Sequence, residues 1–308
     1  SLHLMLSQKD NKDLFKSLKA IVIDEWHELL GSKRGVQVEL ALSRLKNLKS
    51  DLKIWGVSAT IGNLEEAMEV LLGMETGNKK VKKKIVRSKI RKKITVESVL
   101  PDEVEKFPWA GYLGIKLLDK IIPIVRKSRS TLIFTNTRSQ TEIWFQKILE
   151  FYPEFAGKIA LHHGSIDRNI RDWVERSLHN ERINLVVCTS SLDLGVDFTP
   201  VETVIQIGSP KGVARFLQRA GRSGHQPDAV SKIYFVPTHS LELVEGAALK
   251  EAMNTNSVED RQPVLKPYDV LIQYLITLAS GDCFDQKEIY EEVKNTFAYQ
   301  TISEDEWN

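Results

Sequence analysis

Cysteine is almost missing from this 308-residue sequence: only Cys188 and Cys283 occur, far apart. Neither has a His or Cys at ligand spacing, which excludes a disulfide framework, argues against a zinc site and makes a reducing, cytoplasmic setting the expectation. Long hydrophobic runs are missing too. Val270 to Leu278 is among the longest, well short of the roughly 20 residues that cross a bilayer. No lipid-anchor or export signal is visible, although the first residue is Ser, so targeting by an earlier segment stays open. Neither sign of charge dominates, with 43 Lys and Arg against 41 Asp and Glu. No internal repeat occurs, and no cluster of His, Cys and Asp has the spacing that a metal-dependent nuclease or deaminase needs.

What is present is an ordinary globular balance, 42% hydrophobic and 27% charged, in a chain long enough for two or three domains. The charge is uneven. From Lys79 to Lys93, ten of fifteen residues are Lys or Arg; the run reads as a solvated connector between domains or as a phosphate-holding surface.

Short apolar runs alternate with helical patterns. Ala20 to Ile23 and Ile54 to Val57 flank a helix near 36–48. Thr131 to Phe134, Ile159 to Leu161, Asn184 to Cys188 and Thr203 to Ile207 alternate with helices near 139–151, 166–178 and 211–220. Nearly continuous apolar strands separated by helices predict an α/β fold with parallel sheets covered on both faces. Working residues of such sheets lie just past the carboxyl ends of the strands, which selects Asp24, Ser58, Thr135, His162 and Thr189. After Pro263 the pattern changes to amphipathic helices over 268–279 and 286–293, with a third starting near Ser303, as in the helical part of a winged helix.

Four strings carry chemistry. Asp24-Glu25-Trp26-His27 follows an apolar strand, so one carboxylate can hold Mg²⁺ and the next can polarise the water that attacks a γ-phosphate; alternatively the two acids cap the following helix. Ser58-Ala59-Thr60 also follows a strand, and by itself reads equally well as a helix cap. In Thr189 to Asp197, hydroxyls at a helix start can bind a backbone phosphate, and Gly195 with Asp197 suits a ribose or metal contact; a capped helix ended by Gly195 is the plainer reading. In Gln218-Arg219-Ala220-Gly221-Arg222-Ser223-Gly224-His225, Arg222 between glycines can reach a γ-phosphate as an arginine finger, or the segment is an ordinary loop. Their order decides between these readings. Acidic box, Ser-Ala-Thr, Thr135-Asn136, His163-Gly164-Ser165, Thr-Ser-Ser and Gln-Arg-x-Gly-Arg follow one another at strand ends, the arrangement of a helicase motor.

Residues 24–37, Asp-Glu-Trp-His-Glu-Leu-Leu-Gly-Ser-Lys-Arg-Gly-Val-Gln, closely resemble the DExH box of Lhr-type superfamily 2 helicases, most of all their ligase-associated branch. The resemblance continues through 161–165, 189–197 and 218–225 into the Leu271-Ile272-Gln273 helix. It implies two RecA-like domains, the first incomplete (1–88) and the second at 89–250, then a linker and partial winged helix (251–308). It also implies ATP- and Mg²⁺-dependent 3′-to-5′ movement on single-stranded DNA, unwinding of DNA or DNA–RNA duplexes, and a repair setting with partners such as a ligase. Carried over, Asp24 binds Mg²⁺, Glu25 is the catalytic base, and His27 links the nucleotide site onward, as do Ser58 and Thr60. Thr135, Asn136, His163, Gly164, Ser165, Thr189 and Ser190 grip the DNA backbone, although main-chain donors often do the work at His162 and His163. Gly195, Asp197, Gln218 and Arg222 serve the nucleotide.

Two features depart from the wider pattern. His225 stands where many superfamily 2 proteins have Arg, and His at that place resembles the Lhr pattern. No Gly-Lys-Thr or Gly-Lys-Ser loop occurs to cradle the β- and γ-phosphates, so these 308 residues are expected to hydrolyse ATP poorly, and a non-hydrolysing nucleic-acid-binding module is the alternative. Trp26, Trp109, Trp144 and Trp173 are expected to pack in cores rather than stack on bases.

Overall fold

The computed structural model describes residues 2–59, 61–73, 82–88, 93–102, 114–193, 201–224, 231–255, 257–281 and 284–308. They form two compact units, one of Ser1–Arg87 with Val258–Asn308 and the other of Ser88–Ser257. The expected boundary at 88/89 lies beside the first break. That at 250/251 falls inside a helix ending at Thr255.

The first unit opens with two short helices, α1 (Leu2–Leu6) and α2 (Asn11–Leu14). Strand β1 (Ala20–Ile23) then leads into α3 (Trp26–Leu29) and α4 (Lys33–Leu48), followed by β2 (Lys53–Gly56) and α5 (Leu64–Leu72). Strands β1 and β2 pair in parallel with Ile23 opposite Gly56. Helix α4 starts three residues before the apolar pattern because Ser32 caps it, accepting from the Gly35 N–H. Gly35 is required: a Cβ there would lie 2.3 Å from the Leu29 carbonyl oxygen, so the backbones of α3 and α4 touch. One face of this two-stranded pair is uncovered among the described residues, with Val22 59% and Trp55 63% exposed, unlike the expected double covering.

The second unit is a six-stranded parallel sheet in the order β3-β8-β7-β4-β6-β5. Its elements in chain order are β3 (Ile94–Ser98), α6 (Leu118–Lys127), β4 (Thr131–Phe134), α7 (Arg138–Phe151), β5 (Ile159–His162), α8 (Arg168–His179), β6 (Leu185–Cys188), β7 (Thr203–Ile207), α9 (Val213–Ala220), β8 (Ser231–Val236) and α10 (Leu241–Thr255). Strands β4, β6 and β7 are buried along their whole length, so here the sheet is covered on both faces and its apolar runs are continuous. Two separate cores, around Phe134 and Phe216 on one face and Trp144 and Ile205 on the other, account for this. Edge strand β3 and its neighbour β8, with helices α6 and α10, had no counterpart in the sequence reading. Strand β3 directly follows the lysine-rich run, where charge hides a short Ile-Thr-Val pattern.

The chain then returns to the first unit as α11 (Tyr268–Gly281), α12 (Gln286–Lys294) and the short α13 (Glu304–Trp307). These are the expected helices of the winged-helix segment. They share one core with α1 and α4, in which Leu40, Tyr274 and Ile289 meet. Trp26 and Trp144 are buried as expected, Trp173 is 50% exposed, and Trp109 lies outside the described residues. No described helix is long and apolar enough to cross a membrane.

Candidate functional site

In the first unit the acidic box closes the end of β1 against β2. The Val57 N–H donates to Ile23 and the Trp26 N–H donates to Val57, at 2.9 and 3.0 Å. This turns the chain sharply and leaves Glu25 in the left-handed region at φ +51°, a strained state for a residue with a Cβ, costing about 1–3 kcal/mol. Asp24 is exposed at the strand tip and accepts from the Glu25 N–H at 2.9 Å. The Glu25 carboxyl is 37% exposed beside it. Strain therefore coincides with the two carboxylates assigned to chemistry.

His27 is buried, 1% exposed. Its Nδ1 accepts from the Ala59 N–H and lies 3.2 Å from Ser58 Oγ. An amide can only donate, so Nδ1 is unprotonated, the Ser58 hydroxyl donates to it, and the ring proton sits on Nε2. The 3.5 Å approach of Glu25 Oε2 to Nδ1 is then no ion pair. The box and the Ser-Ala-Thr segment, 31 residues apart in sequence, are thus joined through one imidazole. Thr60 lies outside the described residues.

In the second unit strand order sets side by side what the chain keeps apart. Strands β7, β4, β6 and β5 are consecutive neighbours, so the ends bearing Ser209, Asn136, Thr189 and His163 form a row. Gly164, Ser165 and Ser190 are exposed, Asn136 and Thr189 half-buried. Ser165 Oγ accepts from Arg138 Nη1 at 2.9 Å. A Cβ at Gly164 would find nothing within 4 Å, room for a ligand backbone. Asn136 Nδ2 donates to the Ser209 carbonyl at 2.7 Å.

Thr135 and the two histidines face inward. Thr135 is fully buried, its hydroxyl 2.7 Å from that of Thr141; it secures the start of α7 rather than offering a hydroxyl to a strand. His162 lies between Glu175, 2.9 Å from Nε2, and Ser191, 2.7 Å from Nδ1. Burial pushes its pKa down, against the pull of Glu175, and the Ser191 hydroxyl also donates to the His162 carbonyl at 2.9 Å. His163 is 5% exposed; burial also lowers its pKa, against the pull of Glu142.

The Thr-Ser-Ser and Gln-Arg-x-Gly-Arg segments meet at Asp193, a residue for which the sequence offered no role. Its carboxylate accepts two bonds from Arg219, at 2.8 and 3.2 Å, with both side chains about 3% exposed. Arg219 also donates to Gln206 at 2.5 Å and stacks on Phe134, 4.7 Å from its ring centre. The Asp193 carbonyl accepts from Arg222 Nε and Nη2, at 3.1 and 2.6 Å. One residue thereby holds both arginines, one by side chain and one by backbone. The signal in sequence was an Arg on the buried Phe216-Ala220 face of α9. Gln218 is half-buried; Gly195, Asp197 and His225 lie outside the described residues.

Comparison with known proteins gives the family and the fold. Residues 251–308 match the winged helix domain of large helicase-related protein, 114–226 the helicase conserved C-terminal domain, and 1–67 the DEAD/DEAH box helicases. The chain is 35% identical over 305 residues to the ATP-dependent helicase Lhr-Core protein 2 of Thermococcus barophilus, covering 98% of this chain and 35% of that one. It is 30% identical to the Lhr helicase/uracil glycosylase of Escherichia coli, covering 98% and 22%. Among solved structures, Mycobacterium smegmatis helicase Lhr bound to ssDNA and AMP-PNP superposes over 99% of this chain and 40% of that one, with TM-score 0.85 and 28% identity. The DUF1998 helicase MrfA bound to DNA and AMPPNP superposes over 91% and 39%, with TM-score 0.70 and 25% identity.

Proposed function

Because the chain belongs to the Lhr-type helicases, spanning about a third (35%) of the length of the Thermococcus relative it matches, we propose that the whole protein is an ATP-driven helicase that moves along single-stranded DNA. The observation that carries this reading is the His27 junction: an acidic box whose carboxylates lie at the surface, wired to Ser58 and Ala59 through an unprotonated nitrogen. Such a junction lets a change at the carboxylates be felt one strand away.

In this mechanism Asp24 would hold Mg²⁺, whose preference for hard oxygen ligands its exposed carboxylate suits. When bound, Mg²⁺ neutralises charge developing on the transferred phosphoryl group. Glu25, held in place by its strained backbone, takes the proton of the attacking water. Arg222 and Gln218, with Gly195 and Asp197, serve the nucleotide. Gly164, Ser165, Thr189 and Ser190 bind the DNA backbone by main-chain and hydroxyl donors, with Asn136 and His163 shaping the row and Thr135 supporting it from beneath. We further propose 3′-to-5′ polarity, action on DNA and DNA–RNA duplexes, and service in repair, with a ligase as a candidate partner.

These 308 residues contain no Gly-Lys-Thr or Gly-Lys-Ser, which favours binding without turnover for this stretch taken alone. ATP hydrolysis by the full-length protein, with and without single-stranded DNA, tests the proposal. DNA-stimulated turnover that Glu25→Gln lowers by at least 10²-fold, in line with the usual share of general-base catalysis, is expected. DNA binding without turnover would leave a helicase-derived binding protein instead.

A further inference from the structure

The segment that returns to the first unit does not merely cover its core; it is keyed to both nucleotide motifs. Just after Ser58-Ala59-Thr60, a Cβ on Gly62 would lie 2.6 Å from the Val258 carbonyl oxygen and 2.3 Å from Asp260 Oδ1. The next residue, Asn63, stands at the N-cap of α5 yet makes no capping bond. Its amide instead pairs with Arg261 in both directions, donating to the carbonyl at 3.0 Å and accepting from the N–H at 2.9 Å. A residue type favoured for capping is thus committed to holding the irregular segment 257–267 that leads into α11.

The second key lies on α4. Glu292 of α12 has a side chain with 0% exposure. One oxygen accepts from Tyr274 at 2.6 Å; the other accepts from Arg44 at 3.2 Å and Asn47 at 2.9 Å. Its carbonyl takes the Ser43 hydroxyl at 2.7 Å. An apolar contact of that size could slide by a fraction of a turn. A buried carboxylate cannot, because any slip strands a charge without partners, so Glu292 fixes one register between α12 and α4. Helix α4 is in turn locked to α3 by the Leu29–Gly35 backbone contact, and α3 contains His27.

We propose that Asn63 and Glu292 are positioning residues that join the winged-helix segment to the DExH and Ser-Ala-Thr motifs, so that nucleotide turnover moves that segment as part of the same body. The proposal rests on the helicase reading, and makes the winged-helix segment the part through which hydrolysis is converted into strand separation.

The test has two arms. In the full-length protein, Asn63→Ala and Glu292→Ala are expected to keep DNA-stimulated ATP hydrolysis and the KM for ATP within twofold, while base pairs opened per ATP fall at least fivefold. Glu292→Gln, which can keep all three bonds by donating to the Tyr274 oxygen, is expected to stay within twofold of the parent on both measures. Unchanged base pairs per ATP in the alanine variants, or hydrolysis and unwinding falling together with the melting temperature, would overturn it. The second arm needs no turnover, and so stands even if the parent protein hydrolyses nothing. In the 308-residue chain, hydrogen exchange of residues 26–48 is expected to speed up at least tenfold when either alanine is introduced. Acceleration confined to 258–308 would overturn the proposal.

Discussion

Glu39 shows how one residue can record the packing around it. It faces inward from α4 and accepts from the Ala298 N–H at 3.0 Å, and burial pushes its pKa up to about 8. The folded chain then holds a proton that the unfolded chain releases above about pH 4.5. Its contribution to stability is full below that value and is lost as pH rises through about 8, a span on the order of several kcal/mol at about 1.4 kcal/mol per unit. Lys46, lowered to about 8 chiefly by burial, acts in a higher window, where stability rises with pH. The buried histidines His162 and His163 act alike in parent and variant, so the difference between the two proteins from pH 5 to 8 isolates Glu39. Glu39→Gln keeps an acceptor for Ala298 and removes the ionisation. Thermal unfolding of the variant is expected to lie above the parent at pH 8, with the gap closing at pH 5; an equal gap at both values would show that the group ionises freely in the fold.

Among the elements, the contact that joins β6's following turn to α9 has the most at stake. Asp193 and Arg219 are each about 3% exposed, so removing Asp193 leaves the buried Arg219 charge unmatched, at about 3–5 kcal/mol, whereas removing Arg219 leaves the carboxylate with Arg215, 3.5 Å away. Asp193→Ala should lower stability by that amount, and Arg219→Ala by less. The double variant should cost clearly less than the sum, because neither charge is then left alone. Urea denaturation of the four proteins measures this, and additive single effects would mean the pair is not coupled. Arg222 is held by the Asp193 main-chain carbonyl, which alanine retains, so the Asp193 variant removes the Arg219 pair and leaves that acceptor in place.

At the scale of the whole molecule, cores follow the units rather than the order of the chain. Both cores of the six-stranded sheet lie within residues 88–257. Of the two cores of the first unit, the larger mixes Leu40 and Leu45 with Tyr274, Ile289 and Tyr299, and the smaller, around Trp26 and Leu42, packs against Phe297. Residues 88–257 alone are therefore expected to fold with a cooperative melt. Residues 1–87 alone are expected to stay largely unfolded, and to gain helical circular dichroism and dispersed NMR signals only when 258–308 is supplied. A folded 1–87 fragment would show that the shared core is not needed.

Much of this was determined by the sequence itself. Buried parallel strands are short apolar strings, and the residues at their ends break the pattern, so Asp24, Ser58, Thr135, His162 and Thr189 could be placed at strand ends without coordinates. The helices near 268–279 and 286–293 were equally plain from their amphipathic spacing, each ending within two residues of its observed limit. Tertiary structure alone decided which strand ends became neighbours, because parallel order depends on crossovers and leaves no trace in local periodicity. It decided that the Thr135 hydroxyl turns inward while Trp173 stays half exposed, since a strand or helix pattern says which faces exist but not what covers them. It also decided that Asp193 meets Arg219, that Glu292 meets Arg44, and that residues 258–308 return to complete the first core. These are pairings of distant residues selected by the cost of leaving a buried charge or an apolar face without a partner, a cost that exists only once the chain has closed around them.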